Sequence, residues 1–313
     1  YDIVLNTVGP FFKFGYQVLK TSLEANCHYM DICDDWEPTE KMLELNDIAK
    51  EKNLLALLGL GASPGITNLL GRIAIDHLDI AHTIYTGWNL EEAQPEPISS
   101  QKETNAAMIH GIEQITGKVK VLKDGKFEMV NPLEEIKVSY PNIGTYSAFI
   151  FGHPEAITFP YHFKDLLNSK NLAHGNKSTI FVLKIMRKLI NLKIITKKTA
   201  ARFLEWLEKK GTSRKYTETT SLPEIYALAI GFKNGKEECV GVSLDGEPSR
   251  ELTMGEATGY PLSLGFKMFL NNEITERGVI APESKCIDHK KLLMEIYELF
   301  GMKDAKIKVN KSW

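Results

Sequence analysis

The sequence predicts an α/β fold built around a parallel sheet. Three short apolar runs, at residues 3–8, 27–33 and 54–60, each end in a turn and are each followed by a segment with helical periodicity. The third run is almost continuously apolar, which is the composition of a strand covered by helices on both faces. Strands that alternate with helices in this way form parallel, doubly wound sheets.

Three helices are expected to connect these strands and to complete a first unit over residues 1–78. Residues 15–25 and 66–78 have helical periodicity. Residues 38–52 carry an apolar stripe, and Thr39 is the expected N-cap of that helix. Only three strand–helix units are present, so the parallel sheet is expected to be partial.

The pattern changes in residues 79–252, where a second unit of α+β type is expected. A strand at 81–89 and a helix at 100–116 precede a hairpin that turns at Asp124-Gly125, a strong hairpin signal. Short β-like runs interrupted by proline and glycine follow. The last parts of this region are a helical stretch broken near residues 191–196 and a second hairpin at Asn234-Gly235.

Residues 253–313 predict a helical return of the chain. The periodicity indicates helices at 253–271 and 288–300, separated by the segment Gly278-Val-Ile-Ala-Pro-Glu283. We expect these helices to pack back on the first unit.

The overall composition is that of an ordinary globular protein. Of the 313 residues, 43% are hydrophobic and 25% are charged, and the formal net charge is −2. The four cysteines are far apart and show no CxxC spacing, which favours reduced thiols and disfavours a zinc site. The sequence shows neither a signal peptide nor an apolar run long enough for a membrane span. We therefore expect a cytoplasmic enzyme that does not bind nucleic acid.

The first strand-to-helix turn is the first candidate ligand site. In an open α/β sheet, ligands bind beyond the carboxyl ends of the strands, where small residues let the backbone approach closely. We predict that this turn binds a cofactor, although an ordinary turn shaped by glycine and proline is the alternative. The residues concerned are Asn6, Thr7, Gly9, Pro10 and Phe11, to which Gly61 of the third turn is added.

The second strand ends in several acidic residues. Asp31 is a candidate general acid or base if burial raises its pKa toward the working pH. In the alternative reading, Asp34 or Asp35 caps the next helix and the other carboxylates are solvated. Cys33 is expected to pack in the interior rather than act as a nucleophile.

The third turn supplies candidate substrate-binding residues. They are Ser63, Pro64, Gly65, Thr67 and Asn68, at the start of the predicted helix. The alternative is that the Ser63 and Thr67 hydroxyls only cap that helix.

The segment Gly152-His153-Pro154-Glu155 lies in the second unit. His153 is a candidate for moving protons near neutral pH, and Glu155 is a candidate for recognising a cationic group of the substrate. An exposed turn is the alternative. The other histidines show no metal-ligand spacing, so no metal site is predicted.

Residues 177–215 carry a strong excess of positive charge. They contain twelve Lys or Arg and two acidic residues, a difference of +10, interleaved with apolar side chains. Such a segment can lie on an anionic membrane surface or attract an acidic ligand. It can equally be a helical hairpin that packs by its apolar side, with its lysines solvated.

The ordered set of motifs resembles the saccharopine dehydrogenase-like oxidoreductases. It comprises residues 4–11, Gly15, residues 28–34, residues 61–68 and the segment Gly278–Glu283. The resemblance implies a nicotinamide-dependent enzyme, using NADP or NAD, that forms or cleaves a secondary amine or reduces a related centre in a small molecule. It also implies a Rossmann-type dinucleotide-binding domain that is interrupted by an α+β domain for substrate binding and homodimer contacts.

Two departures from this family qualify the prediction. The glycine-rich turn that holds the pyrophosphate in the family does not occur in the sequence, so the chain is expected to be an N-terminally truncated form that binds a dinucleotide poorly. Ser63 and Thr67-Asn68 stand where saccharopine-forming relatives carry acidic residues and an Asp-His pair, which argues against saccharopine as the substrate. A non-catalytic dimerisation protein and a membrane-surface reductase acting on a lipid-like substrate remain alternatives.

Overall fold

A computed structural model describes residues 2–91, 106–210, 221–246, 252–302 and 304–313. The strands are β1 (Ile3–Asn6), β2 (His28–Asp31), β3 (Leu55–Leu57), β4 (Ile80–Asn89), β5 (Val119–Lys123), β6 (Lys126–Val130), β7 (Glu135–Tyr140), β8 (Gly144–Phe151), β9 (Asn168–His174), β10 (Ile225–Lys233), β11 (Lys236–Asp245), β12 (Gly278–Ile280) and β13 (Lys306–Lys311). The helices are α1 (Phe11–Glu24), α2 (Trp36–Leu43), α3 (Asn46–Glu51), α4 (Ile66–Asp76), α5 (Ala106–Gln114), α6 (Glu155–His162), α7 (Lys177–Asn191), α8 (Lys197–Lys210), α9 (Met254–Leu270) and α10 (His289–Leu299).

The N-terminal region forms the predicted parallel sheet. Its order is β1-β2-β3-β12, and each neighbouring pair is parallel. The strand β12 comes from the distant segment Gly278–Ile280 and pairs with β3, so the C-terminal part of the chain completes this sheet. The predicted α/β class is therefore confirmed.

A second, mixed sheet contains nine strands. Its main path runs β13-β11-β10-β4-β9-β5-β6, and the hairpin of β7 and β8 joins it at β9. The two predicted hairpin turns are present, with positive φ angles at Asp124 and Gly125 and at Asn234 and Gly235.

The largest hydrophobic cluster connects the two sheets. The helix α4 lies at its centre and packs against β4, β10 and α10. Gly71 of α4 lets α6 approach as well, because a Cβ atom there would lie 2.3 Å from Cζ of Phe159 in α6. The helix α4 therefore links the parallel sheet to the mixed sheet.

The prediction of one continuous helix at 38–52 with Thr39 as its N-cap is wrong. The chain forms α2 and α3 with a break at residues 44–45, and this break lets Asn46 Oδ1 accept a hydrogen bond from the backbone N–H of Val279 in β12 (3.1 Å). The N-cap position is Asp35, while Thr39 lies inside α2 and donates to the carbonyl oxygen of Asp35 (2.7 Å).

Three elements were not predicted from the sequence. The helix α6 lies where β-like runs were expected, and β9 and β13 were left without an assignment. Because β13 pairs with β11, the last strand of the chain belongs to the mixed sheet, within the region expected to be a helical return. The domain boundaries 1–78, 79–252 and 253–313 stay a prediction.

Parts of several predictions lie outside the described residues. They concern positions 100–105 of a predicted helix, 211–215 of the basic segment and 216–220 before β10. In the part of the chain that is described, no helix has the length and apolar character needed to cross a bilayer.

Candidate functional site

The turn between β3 and α4 is shaped by a glycine that no other residue can replace. Gly65 has φ +126°, and a Cβ atom on it would lie 1.9 Å from the carbonyl oxygen of Gly61. The backbone N–H of Gly65 donates to Asn68 Oδ1 (2.8 Å), so Asn68 supports the start of α4. The alternative in which the Ser63 and Thr67 hydroxyls only cap this helix is wrong, because Gly65 occupies the N-cap position and both hydroxyls donate to Glu155.

Ser63 and Thr67 donate to the same carboxylate oxygen, Oε1 of Glu155. The two O···O distances are 2.7 and 2.8 Å, and Asn171 Nδ2 of β9 donates to the same oxygen at 2.9 Å. Glu155 is the first residue of α6 and is 1% exposed. We call Ser63, Thr67, His153, Glu155 and Asn171 the Glu155 cluster. It joins the turn after β3 to the mixed sheet.

The second carboxylate oxygen of Glu155, Oε2, lacks the hydrogen bonds that Oε1 receives. Oε2 is buried and has no hydrogen-bond partner among the described residues. His153 Nδ1 lies 3.7 Å from it, close enough for an ion pair if the imidazole is protonated. A buried carboxylate with an unsatisfied oxygen is costly unless a cation or a proton donor reaches it. This side of Glu155 is therefore the part of the cluster best suited to bind a ligand.

Aromatic rings surround His153 and fix its orientation. The imidazole stacks on Trp88, with ring centroids 5.5 Å apart and an interplanar angle of 23°. Phe151 meets it edge-on at 5.7 Å. Aromatic faces next to a carboxylate suit an organic cation, since the ring quadrupole and the negative charge both attract it.

Trp88 also orients the amide of Asn171. Its indole Nε1 donates to Asn171 Oδ1 (3.3 Å), so the amide nitrogen of Asn171 turns toward Glu155 and toward Thr86 Oγ1 (3.0 Å). An amide held from both ends in this way keeps its donor aimed at the carboxylate.

The combination of Ser63, His153 and Glu155 is not a hydrolase triad. A triad needs the serine and the carboxylate on opposite nitrogens of the imidazole. Here one nitrogen, Nδ1 of His153, faces both Ser63 Oγ (3.1 Å) and Glu155 Oε2 (3.7 Å), and the Ser63 hydroxyl already donates to Glu155. The geometry therefore favours binding and proton movement over nucleophilic attack.

A second buried carboxyl adjoins the same turn. Glu283, which ends the segment after β12, accepts a hydrogen bond from Asn68 Nδ2 at 2.7 Å. Burial raises the pKa of Glu283 to about 7, and the nearby charge of Glu155 acts in the same direction. Asn68 thus connects two groups: its Oδ1 accepts from the backbone at the start of α4, and its Nδ2 donates to the Glu283 carboxyl group.

Asp31 lies at the carboxyl end of β2, as predicted, with all of its carboxylate oxygens occupied. Oδ1 accepts from the backbone N–H groups of Cys33 (3.1 Å) and Gly59 (2.7 Å), and Oδ2 accepts from the Tyr29 hydroxyl (2.8 Å). Asn6 Nδ2 donates in turn to the Tyr29 hydroxyl (2.9 Å). Burial raises the pKa of Asp31 to about 6. The arrangement ties together the ends of three strands, and none of these hydrogen bonds involves the Glu155 cluster.

The acidic residues after Asp31 do not cap α2 through their side chains. Asp35 occupies the N-cap position of α2, but its Oδ2 accepts the backbone N–H of Phe12 in the first turn of α1 (2.9 Å). Cys33 is fully buried in the hydrophobic core, and burial raises its pKa well above the ordinary value. Both observations make Cys33 a packing residue, as expected.

The predicted cofactor turn after β1 divides into buried and exposed parts. Asn6 is buried, and Phe11 packs in the core of the small sheet. Thr7 and Gly9 are exposed, and a Cβ atom at Gly9 would meet nothing within 4 Å. Because the carboxylate of Asp35 already lies at the start of α1, this turn fits an uncharged part of a dinucleotide better than its pyrophosphate.

Gly61 and Pro64 contribute backbone shape rather than side-chain contacts. The backbone N–H of Gly61 donates to the carbonyl oxygen of Pro64 (2.9 Å), which closes the turn. A Cβ atom at Gly61 would lie 2.9 Å from Thr258 Cγ2 of α9, so this glycine also admits the neighbouring helix.

Sequence reasoning missed three residues of this site, namely Trp88, Asn171 and Glu283. Trp88 and Asn171 stand on β4 and β9, and β9 itself was not predicted. Glu283 was part of a recognised motif, but its buried position beside Asn68 follows only from the pairing of β12 with β3.

Known proteins resemble the chain in sequence and in fold. No known protein-family profile matches it. Over 162 residues it is 25% identical to carboxyaminopropylagmatine dehydrogenase from Synechocystis, a region that covers 49% of this chain and 39% of that enzyme. The chain therefore matches well under half the length of this relative.

Two solved structures match nearly the whole chain. Apo saccharopine dehydrogenase (L-Glu forming) from Saccharomyces cerevisiae has a TM-score of 0.59 and 13% identity, and the match covers 99% of this chain and 84% of that one. Homospermidine synthase from Legionella pneumophila, solved with NAD, has a TM-score of 0.53 and 12% identity, with coverage of 99% and 76%. The chain has the saccharopine dehydrogenase-like fold. The resemblance indicated by the motifs is thereby confirmed at the level of the fold.

Proposed function

We propose that the protein is an NAD(P)-dependent oxidoreductase that acts on the carbon–nitrogen bond of a small cationic molecule. The observation that carries this proposal is Glu155, a buried carboxylate with three donors on one oxygen and none on the other. A primary or secondary ammonium group, which is both a cation and a hydrogen-bond donor, satisfies the second oxygen. The named relatives, two dehydrogenases and a homospermidine synthase with NAD, support this class of reaction.

The residues of the Glu155 cluster take separate roles in this proposal. Glu155 binds the ammonium group, while Ser63 and Thr67 hold the carboxylate in place through their hydroxyls. Trp88 holds the His153 imidazole in place by stacking on it. His153 takes up or delivers the proton at the substrate nitrogen, because its Nδ1 lies next to Glu155 Oε2. The predicted catalytic role of Asp31 is not favoured, since its oxygens already accept three hydrogen bonds.

The cofactor is assigned to the carboxyl edge of the parallel sheet. Thr7 and Gly9 form an open turn after β1, and Pro64 and Gly65 form the turn after β3, with the end of β2 between them. When bound, a nicotinamide cofactor supplies or accepts the hydride, and the protein provides the binding and orientation. NADP and NAD both remain candidates, and the predicted homodimer stays a prediction.

The first test is cofactor binding by the complete protein. We expect saturable quenching of tryptophan fluorescence on titration with NADPH or with NADH. If neither reduced cofactor binds saturably, the oxidoreductase proposal is wrong.

The second test separates the substrate anchor from the cofactor site. A panel of primary amines, diamines and amino acids is offered with the oxidised cofactor, and cofactor reduction is followed by absorbance. For any amine that reacts, Glu155→Gln is expected to raise KM by roughly 30-fold, since loss of one buried charge partner costs about 2 kcal/mol or more. Cofactor affinity should stay within about twofold, as it should in the exposed control Glu51→Gln. An unchanged KM in Glu155→Gln removes the anchor role.

A further inference from the structure

The helix α7 exposes a side that is both basic and apolar. Its residues recur at intervals of three and four, which places them on one face of a helix. The exposed members are Lys177, Phe181, Lys184, Ile185 and Lys188. The opposite side of the helix carries Ile180, Leu183 and Met186, which are buried in a hydrophobic cluster with α5 and α8. The packed side expected from the sequence is thus present, and the other side remains open to solvent.

The apolar residues on this open side are large and adjacent. Phe181 is 64% exposed and Ile185, one turn later, is 43% exposed. The ridge continues past the end of the helix with Leu192 at 60% and Ile194 at 64%. Single exposed apolar residues are common on soluble proteins, but four large ones within fourteen positions, two of them one helical turn apart, are typical of an interaction surface. We call Phe181, Ile185 and Leu192, with the lysines beside them, the α7 face.

A groove of about 590 Å³ lies next to this ridge, between α7 and the turn at residues 131–134. Its cationic lining consists of Lys184, Arg187 and Lys188, and Glu134 is the acidic residue in the lining. Arg187 donates through Nη2 to Asn131 Oδ1 (2.9 Å), while its Nε is buried without a hydrogen-bond partner among the described residues. An N–H donor in this state, flanked by two lysines, suits a phosphate oxygen.

Charge and apolar character together decide the kind of partner. A second copy of the chain docked symmetrically through α7 would bring lysine against lysine, since a two-fold interface pairs the same patch with itself. A nucleic acid would satisfy the lysines but not the apolar ridge. An anionic bilayer offers phosphates at its surface and an apolar layer immediately beneath, at the depth that large side chains on such a helix can reach.

We propose that the α7 face docks on the surface of an anionic phospholipid membrane. Headgroup phosphates contact Lys184, Arg187 and Lys188, and Phe181, Ile185 and Leu192 insert at the boundary between headgroups and acyl chains. The α7 face lies at the membrane surface, and no helix in the described part of the chain crosses the bilayer. This inference does not depend on the proposed reaction, because no residue of the Glu155 cluster takes part.

The test is flotation of the complete protein with vesicles. Vesicles of phosphatidylcholine alone are compared with vesicles that also contain phosphatidylserine. We expect binding to the anionic vesicles only, and weaker binding as the salt concentration rises. Lys177→Gln with Lys188→Gln should weaken binding by about 30-fold, because each lysine near an anionic surface contributes on the order of 1 kcal/mol. Phe181→Ser with Ile185→Ser should abolish stable binding.

Matched control variants show whether binding depends on the α7 face itself or only on the total charge and exposed apolar surface of the protein. Lys126→Gln with Lys236→Gln removes two exposed lysines elsewhere, and Ile80→Ser removes an exposed apolar side chain that is 56% accessible. Both controls should bind like the wild type. Circular dichroism should show unchanged folding for all four variants, and the lysine pair still tests the proposal if the apolar pair fails to fold.

Three outcomes would overturn the proposal. The first is equal binding to neutral and anionic vesicles. The second is equal loss of binding in the control lysine pair, which would mean that overall charge alone acts. The third is a dimer in sedimentation that Phe181→Ser with Ile185→Ser converts to monomers, since the face would then be covered by a second copy.

Discussion

Asp31 and Glu155 are both buried carboxylates near the carboxyl edge of the parallel sheet, but their surroundings differ. Asp31 distributes three hydrogen bonds over its two oxygens. Glu155 receives its three hydrogen bonds on one oxygen and leaves the other without a partner among the described residues. A fully satisfied carboxylate stabilises the fold, whereas a half-satisfied one keeps an unmet interaction that a ligand can complete.

The two carboxylates also connect different parts of the fold. The donors to Asp31 come from β2 and from the backbone after β2 and β3, within one small sheet. The donors to Glu155 come from the turn before α4, from the first turn of α4 and from β9, so that cluster joins two sheets. A ligand held by Glu155 would therefore lie between the two sheets.

The largest expected effect follows from removing the satisfied carboxylate. Asp31→Ala leaves three buried donors without an acceptor, so we expect the free energy of unfolding to fall by about 3 kcal/mol, at about 1 kcal/mol for each donor. Urea denaturation should show a lower midpoint with an unchanged slope. Asp165→Ala, at an exposed aspartate, is the control and should change little. A loss below about 1 kcal/mol would show that Asp31 does not hold the strand ends together.

Removing the Glu283 carboxyl should have an effect of comparable size on stability, and it tests burial directly. Its folded pKa of about 7 lies above the ordinary value of 4.5, with burial as the main cause. The native state therefore binds the proton more tightly than the unfolded chain. This contribution to stability is complete below pH 4.5 and is lost as the pH rises through 7. The total is roughly 3.5 kcal/mol, since each pKa unit corresponds to about 1.4 kcal/mol.

Glu283→Gln should remove this dependence while its side-chain oxygen still accepts from Asn68. We expect the difference in unfolding free energy between Glu283→Gln and the wild type to grow in favour of the variant from about pH 4 to about pH 8. Urea unfolding at several pH values measures it, with Glu298→Gln as an exposed control. Parallel curves for the wild type and Glu283→Gln would contradict the raised pKa. Asp31 contributes in the same direction, because burial raises its pKa to about 6.

The sharpest test of the comparison is a pair of isosteric changes. Asp31→Asn places an amide N–H₂ against groups that are themselves donors, and we expect it to cost about 1–2 kcal/mol. Glu155→Gln keeps Oε1 as the acceptor and replaces the unpartnered oxygen, so its stability should be unchanged or higher by up to about 1 kcal/mol. Thermal and urea unfolding of both variants measure the two changes in unfolding free energy. Equal losses at the two positions would remove the distinction drawn between them.

The sequence was most informative where local chemistry determines structure. Apolar runs next to glycine-containing turns predicted the parallel strands, and Asp124-Gly125 and Asn234-Gly235 predicted the hairpins because those pairs adopt positive φ angles readily. The segment at β12 was found as a motif. In each case the signal lies within about ten residues of chain, which pattern reasoning can resolve.

The missed elements depend on distant partners. The strand β9 has the polar sequence Asn-Ser-Lys-Asn-Leu-Ala-His and becomes a strand because β4 and β8 lie on either side of it. The helix α6 contains Pro160, and together with Pro154 this made the segment resemble a turn. Propensity is a weak prior, and tertiary pairing overrode it at both places.

The same limit applies to the candidate site. Ser63, Thr67 and Glu155 were predicted to bind substrate, and the structure brings them into hydrogen-bond contact. Their contact spans about ninety positions of chain, and nothing local indicated that Asn171 would join them. Trp88 and Asn171 became recognisable only once β4 and β9 were paired.

The smallest effects concern the hydroxyls that hold Glu155. Thr67 is fully buried, so the isosteric change Thr67→Val should lower the unfolding free energy by about 1 kcal/mol, while Ser63→Ala, at a partly exposed residue, should cost less. Hydrogen bonds to an ionised acceptor are roughly twice as strong as neutral ones. Thr67→Val should therefore cost less in the Glu155→Gln background, with a coupling energy of about 0.5–1 kcal/mol in a double-mutant cycle. Strict additivity would mean that the strength of the Thr67 hydrogen bond does not depend on the charge of Glu155. The start of α4 and the Glu155 carboxylate would then contribute to stability independently.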